Sequence, residues 1–310
     1  MRKIDPSVFL TALKYGKYRG IITGETQYQE AKWMTNKELR RIAAKGRLLA
    51  MDMVYRAASG HIGGSLSAME ILTELYFEVM KIDPQNPRNP ARDRFVMSKG
   101  HCTPALYSVL AMRGFSDEKE LSLFRSISGH LSGHPDMTHV PGVDMSTGSL
   151  GQGISAAVGM ALAGKIDKKD YRVYALLGDG ECAEGQVWEA AASAAKYGLS
   201  NLCAIVDVNG LQIDGRTADV MPMEPFDEKF RAFGWDVLYA DGHDFDSLGE
   251  AFRKAQGREK PTVILAKTVK GKGVSFMENN AGWHGKAPNA EQYAQAMAEL
   301  SAVYSQMEGQ

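Results

Sequence analysis

The chain predicts an α/β fold with a parallel sheet flanked by helices on both faces, and three observations lead there. Short apolar runs alternate with helix-length amphipathic segments through the second half of the chain, and strands separated by such helices pair in parallel. Two of those runs end in turns that carry oxygen donors, Gly178-Asp179-Gly180 and Asp207-Val-Asn209-Gly-Leu211. At 310 residues there is enough chain to bury a substantial core.

Residues 1–34 show no clean periodicity and read as an amino-terminal extension; residues 35–310 read as one α/β domain. Thr35-Asn-Lys-Glu38 has the form of a capping box and opens a long helix through Ala58. Ala57-Ala-Ser-Gly-His61-Ile-Gly-Gly64 breaks it, and a second helix is expected over about Ser67 to Met80. Asp83-Pro-Gln-Asn-Pro-Arg-Asn-Pro90 is a surface loop. Arg94-Phe-Val-Met-Ser98 is the first strand, and Pro104 to Arg113 a helix. The Gly/Ser/His-rich stretch 126–149 is too long for an idle connector. A helix over 151–165 follows. Then come strand 172–177, helix 184–197, strand 202–208, a loop, helix 226–233, strand 236–240, helix 246–256 and strand 261–268. A last helix covers about 290–306.

The bulk properties exclude several function classes. Basic and acidic residues balance at 36 against 37, which gives no electrostatic case for nucleic acid or a membrane surface. Met1-Arg-Lys-Ile-Asp-Pro6 lacks the apolar core of a signal peptide. No apolar run approaches the roughly 20 residues of a membrane span. Cys102, Cys182 and Cys203 share no C-x-x-C spacing, which suits a reducing cytoplasm without a zinc site. Cys182 reads as a small filler.

Asp179 and Asn209 each follow a buried strand, on the sheet edge where open α/β folds bind ligands. A carboxylate and an amide oxygen are hard donors, suited to Mg²⁺ or Ca²⁺. Two such groups cannot cage a divalent ion. Mg²⁺ held this way completes its octahedron with water and phosphate oxygens. The glycines admit backbone N–H groups to those phosphates, and a helix from about Glu184 would point its positive end at them. The pattern reads as a Mg²⁺-diphosphate site.

Five of the seven histidines directly follow a glycine: His61, His101, His130, His134 and His243. His284 directly precedes one. Glycine is about one residue in ten (32 of 310), so chance would yield fewer than one such Gly-His pair. Gly-flanked histidines on tight loops can bring backbone and imidazole to one ligand, and imidazole moves protons near neutral pH. His61, His101, His134 and His284 are read as a functional cluster, and His130, His139 and His243 are assigned no role.

Taken in order, Ala58-Ser-Gly-His61, Ser98-Lys-Gly-His101, Gly133-His134-Pro-Asp136, Gly148-Ser-Leu-Gly-Gln-Gly153, Gly178-Asp-Gly180 with Glu184-Gly185, Asp207-Val-Asn209-Gly-Leu211 and His284-Gly-Lys-Ala-Pro288 resemble the motifs of transketolases. The resemblance covers about residues 35–290 and is to the amino-terminal half, which holds the diphosphate of thiamine diphosphate. It implies the thiamine-diphosphate-binding fold. It also implies that Asp179, Asn209 and the carbonyl of Leu211 ligate Mg²⁺, with Ca²⁺ or Mn²⁺ as substitutes. Gly180, in the turn opened by Gly178, would hold the diphosphate with His101 and His284. Leu150 would pack by the thiazolium ring, and the Gly148 backbone would lie near the aminopyrimidine. Glu184 would link to an activating glutamate of a partner domain. His61, His134 and His284 would line the donor-sugar site, with His61 and His284 as acid–base groups. The pattern departs at Ser149, where proline is usual, at Lys99, where many members have Asn, and at the Trp-His-Gly context of His284. These departures bear on substrate details.

The resemblance implies ketol transfer from a ketose to an aldose phosphate, in pentose-phosphate-type carbohydrate metabolism. Transketolases continue into a pyrimidine-binding domain that carries the activating glutamate. The expectation is therefore the amino-terminal subunit of a split transketolase, inactive alone, with the other half as partner in an α2β2 heterotetramer. The donor could be a pentose or hexose phosphate, a branched sugar phosphate or a sulfo-sugar. Competing readings are the α chain of a 2-oxo-acid dehydrogenase, a deoxyxylulose-phosphate synthase-like enzyme, and a non-catalytic Mg²⁺-nucleotide module. The four-histidine set argues against the first, because polyol donors need more hydrogen-bonding groups than a pyruvate methyl.

Overall fold

In a computed structural model, residues 34–307 are described; the 1–34 extension falls almost wholly outside them. Asn36–Gln310 clusters as one compact unit. Five strands form its sheet: β1 (Arg94–Met97), β2 (Val173–Gly178), β3 (Leu202–Val208), and the later β6 (Asp236–Asp241) and β7 (Thr262–Lys267). Their order is β1-β2-β3-β7-β6, and every pair is parallel. All five carboxyl ends therefore lie on one edge.

Burial explains the apolar runs. In β2, Val173, Ala175 and Leu177 face a cluster that includes Ile154, Ala157, Val187, Ala191 and Phe230. Tyr174 points to the other face and meets Phe252 edge-on, ring centroids 6.1 Å apart. A strand covered on both faces has no polar face to alternate with. The first face is covered by α5 (Gln152–Ile166), α6 (Gly185–Lys196) and α8 (Phe226–Ala232), and α9 (Phe245–Gln256) covers the second.

Helix α1 (Asn36–Arg56) buries Leu39, Ala43, Gly46, Ala50, Met53 and Val54, one stripe at helical spacing. The carboxyl-terminal α10 (Ala290–Gln306) returns to it: Tyr293 stacks on Tyr55 at 3.9 Å and donates to Asp52 at 2.8 Å. Its start is a capping box on Asn289 and Gln292.

Two expectations of sequence shift. The second helix begins earlier, as α2 (Ile62–Ser67) and α3 (Met69–Glu74), and closes in a π-helical turn, Leu75–Val79. Helix α2 runs through Gly63 and Gly64, where neighbouring atoms stand too close for a side chain. A Cβ on Gly63 would stand 2.9 Å from the Trp283 carbonyl oxygen. The loop after β3 holds a small hairpin, β4 (Leu211–Gln212) with β5 (Gly215–Arg216), then α7 (Thr217–Val220). Helix α4 (Thr103–Arg113) falls where expected.

Glu74 is 5 % exposed, and its Oε2 has no hydrogen-bond partner. Burial, then the charge of Glu78, raises its pKa to about 7. An unfolded glutamate titrates near 4.3. The folded state thus binds this proton more tightly, so the stability it contributes is complete below about pH 4 and is lost as pH rises through 7. Glu74→Gln should therefore flatten this dependence and raise stability at pH 8 by on the order of 1–3 kcal/mol. Urea unfolding of both proteins at pH 5.5 and pH 8 measures the difference.

Candidate active site

Gly178 of β2 pairs with Asp207 of β3, so Asp179 and Asn209 leave neighbouring strands side by side. The buried Asp179 carboxylate accepts from Gly180 N at 2.8 Å and from Gly210 N at 2.6 Å. It therefore fixes both turns at once. Asn209 Oδ1 accepts from Leu211 N at 3.1 Å, and the Leu211 carbonyl accepts from Lys270 Nζ at 3.2 Å. Burial first, then the charge of Asp207, raises the Asp179 pKa to about 6. Among the described residues no group of three or more His, Cys, Asp or Glu side chains could hold a metal. One carboxylate, one amide and one carbonyl oxygen do fit a cation that takes its other ligands from phosphate and water.

The four histidines singled out in the sequence do come together. His61 lies 5.2 Å from His101, 5.4 Å from His284 and 6.3 Å from His134, ring centroid to centroid. His101 and His284 are 4.9 Å apart. His134 is the exposed member. His61 Nδ1 is buried without a partner. His130 and His139 lie outside the cluster, paired with Glu120 and Asp136.

Two buried lysines stand in the floor beside the carboxylates of Asp179 and Asp207. Lys270 Nζ also meets His284 Nδ1 at 3.0 Å. Lys99, 2 % exposed, pairs with Asp207 and donates to the Gly64 carbonyl at 3.1 Å. Asp207 accepts in addition from Ser67 Oγ at 2.6 Å and from Thr268 Oγ1. Burial opposes both charges of the pair. Their mutual attraction outweighs it, holding Asp207 below and Lys99 above their ordinary ranges. Around them the cations suppress one another. Burial, with Arg125 and His134, lowers His61 to about 4, and burial, with Lys270 and His61, lowers His284 to about 3. Burial and Lys99 push His101 and Lys270 down. Lys270 and the ring N–H groups of the neutral histidines are donors that a polyanion such as diphosphate can use.

Sequence reading missed Glu181. Buried in a 3₁₀ turn (Gly180–Ala183), it accepts from Ser98 Oγ at 2.5 Å, Gly151 N at 2.9 Å and Gly178 N at 2.9 Å. One carboxylate thus joins the loop after β1, the GSLGQG loop and the GDG turn. Gly151 is the hinge of that arrangement. Its φ of +79° is left-handed, and a Cβ there would stand 2.7 Å from Glu184 Cβ. Nearby, Gly100 lies so close to the same loop that a Cβ would meet Gly148 N at 2.8 Å. Leu150 is half-buried and Glu184 is exposed where α6 begins. The 3₁₀ turn lies between GDG and α6, so the first N–H groups after Asp179 belong to that turn and not to the helix.

Lys270 and His243 were also missed. Lys270 sits in Lys270-Gly-Lys-Gly273, directly after a strand on the ligand edge, and that placement was a usable signal. His243 bonds at both ring nitrogens, to Glu70 at 2.9 Å and to Val269 N at 2.9 Å. Nothing in its local sequence foretells this. Cys182 is buried and its Sγ points to the Gly178 carbonyl at 3.4 Å, as a filler would. No helix among the described residues is long and apolar enough to cross a membrane.

Residues 39–305 match the family described as transketolase, thiamine diphosphate binding domain. An apulose-4-phosphate transketolase subunit of Phocaeicola vulgatus is 46 % identical over 265 residues, 85 % of this chain and 94 % of that protein. The 6-deoxy-6-sulfo-D-fructose transketolase subunit SqwG of a Clostridium species is 47 % identical over 82 % of this chain and 93 % of its own length. Human transketolase is 44 % identical over 87 % of this chain, which spans only 42 % of the human protein. The crystal structure of Campylobacter jejuni transketolase superposes with a TM-score of 0.82 at 33 % identity, over 88 % of this chain and 46 % of that one.

The Lys99–Asp207 pair should resist substitution of one partner alone. Lys99→Met leaves a carboxylate buried without its countercharge, and the expected loss is about 3–5 kcal/mol. The double variant Lys99→Met/Asp207→Asn should recover part of it. Urea titrations of the three proteins decide, and equal midpoints for wild type and Lys99→Met would refute the expectation.

Proposed function

The chain belongs to the transketolase family, and from that premise we propose that it is the diphosphate-binding subunit of a two-chain, Mg²⁺-dependent transketolase. The observation that carries this reading is the juxtaposition of Asp179, Asn209 and the Leu211 carbonyl with the hydrogen-bond donors His101, His284 and Lys270. Thiamine diphosphate, when bound, supplies the nucleophilic carbon that takes up and releases a two-carbon ketol unit. The protein's share is to bind, orient and move protons.

In this reading Asp179, Asn209 and the Leu211 carbonyl hold Mg²⁺. Gly180 N–H, His101, His284 and Lys270 hold the diphosphate. Leu150 and the Gly148 backbone flank the rings, and Glu184 faces the partner subunit. His61 is placed to take the proton of the ketose C3 hydroxyl, and His284 to return one to the aldehyde oxygen of the acceptor. Both imidazoles are neutral at pH 7. A neutral imidazole can accept a proton at one nitrogen and donate from the other. A bound dianion would raise both pKa values toward neutrality, where acid–base help is worth about 10²–10⁴-fold. His134, at the exposed mouth, is suited to the donor's C1 hydroxyl.

Two relatives matched almost end to end are named as transketolase subunits, and this supports a separate partner carrying the pyrimidine-binding domain. Their names specify a sugar phosphate and a sulfo-sugar. The proposed donor here is accordingly a ketose bearing phosphate or sulfonate, with an aldose phosphate as acceptor. A cytoplasmic enzyme of α2β2 form is the natural assembly.

Reconstitution tests the proposal. The chain alone should show no ketol transfer, and transfer should appear on adding the second subunit with thiamine diphosphate and Mg²⁺. Transfer by the purified chain alone would defeat the two-chain reading.

In the reconstituted enzyme, Asp179→Ala and Asn209→Ala should abolish Mg²⁺-dependent retention of thiamine diphosphate on gel filtration. His61→Ala and His284→Ala should lower kcat at least about tenfold, and His284→Ala should also raise the cofactor KM. Full retention in the first pair would remove the metal assignment, and unchanged kcat in the second would remove the acid–base one.

A further inference from the structure

The segment after β7 forms a strap across the site floor. Thr268 N donates to the Val208 carbonyl at 3.1 Å, and Thr268 Oγ1 donates to Asp207. Gly271 N donates to the Gly63 carbonyl at 2.9 Å, beside the His61 loop. Between them stands Lys270, on the Leu211 carbonyl and His284. Just before Lys270, Val269 N–H donates to His243 Nε2 at 2.9 Å.

An amide N–H can only donate, so His243 Nε2 carries no proton and the ring hydrogen sits on Nδ1. That hydrogen points at Glu70 Oε2, 2.9 Å away. Glu70 in turn receives both terminal nitrogens of Arg47 at 2.6 Å, and Arg47 also donates to the Leu66 carbonyl at 3.0 Å. Both side chains are buried. The His243 loop is itself set by Gly242 N on the Lys267 carbonyl at 2.8 Å and His243 N on Asp241 Oδ1 at 2.9 Å. A chain of directed bonds therefore runs from α1 through α3 and His243 into the strap. Every link has a fixed donor and acceptor.

We propose that His243 is a positioning residue which, through Val269, holds Lys270 in register with the Leu211 carbonyl and His284, and so sets the affinity of the site for thiamine diphosphate with Mg²⁺. This rests on the transketolase reading above. Both ring nitrogens of His243 are committed to Glu70 and Val269, away from the metal-ligating groups and the histidine cluster. Its effect passes through one backbone amide.

The test uses the full chain with its partner subunit. Calorimetric titration with thiamine diphosphate and Mg²⁺ is compared for wild type, His243→Phe, which keeps the ring but has no acceptor, and His243→Gln, whose carboxamide oxygen can accept from Val269 N–H. Hydrogen exchange of peptides covering 267–271 is read against peptides from β2 and β3. His243→Phe should weaken cofactor binding about tenfold, the worth of one hydrogen bond to a partly buried group, and should speed exchange only in 267–271. His243→Gln should restore most of both. Wild-type affinity in His243→Phe would overturn the inference, as would exchange that rises equally in β2 and β3. Should His243→Phe fail to fold, loss of affinity in His243→Gln as severe as in Asp179→Ala would overturn it too. If the wild-type complex takes up no thiamine diphosphate while 267–271 exchanges as expected, the transketolase reading falls and the anchoring of the strap stands.

Discussion

The Asp207 carboxylate, wholly buried at the end of β3, is the point on which the site is assembled. Lys99 reaches it from the loop after β1, Ser67 from α2 and Thr268 from the strap after β7. Three segments far apart in sequence are thereby registered to one strand end. The ion pair need not add net stability. Desolvating both charges costs several kcal/mol per ion, and a buried pair often does no better than an apolar replacement. What it supplies is direction. An apolar cluster at the same place could slide, whereas Asp207 accepts along a few lone-pair directions. It also places an ammonium group beneath His101 and next to Lys270. The same bond that aligns the loops thus sets the electrostatics of the cavity above.

Those electrostatics are unfavourable to the protein on its own. His61, His101, His134, His284 and Lys270 all lie below their ordinary pKa values, chiefly through burial and secondly through neighbouring basic groups. The surrounding fold thus holds these groups where protonation is disfavoured. Local rules of stability are commonly violated where a ligand will satisfy them. Asp179 shows the opposite frustration, its charge disfavoured by burial and by Asp207. A divalent cation relieves the second and a diphosphate the first. Metal and diphosphate bound together leave the region nearer balance than either alone.

The architecture was largely legible because the strands are buried on both faces and the helices between them have helical spacing and clear ends. Asp179 and Asn209 were legible as matching turns at two strand ends, and the four clustered histidines by glycine neighbours more frequent than chance. Other features were hidden by chemistry that sequence does not display. Glu181 and His243 are ordinary residues by local pattern, and their roles come from burial and from donors on distant segments. Gly63 and Gly64 read as part of a helix break, yet α2 runs through them, because close packing on the Trp283 carbonyl and on Cys102 Sγ offsets their poor helix propensity. The β4–β5 hairpin is only two residues on each side, too short to carry a period.

On the proposed function, the depressed histidines would connect binding to catalysis. Linkage is reciprocal: if a bound anion raises the pKa of His61 and His284, protonating those rings must strengthen anion binding by the same factor. In the absence of the anion both imidazoles are neutral and poor at holding a proton. Only when a dianion occupies the cavity do their proton affinities move toward the range useful at pH 7. Acid–base capacity therefore arises together with occupancy, and the protein need not stabilise imidazolium before the anion arrives. Lys270 tightens this coupling. Its contact with His284 Nδ1 keeps that ring deprotonated on one side, and an anion that draws the ammonium toward itself would release it. On the proposed function, the position of the strap that carries Lys270 would bear both on how firmly the cofactor is held and on when His284 can carry a proton.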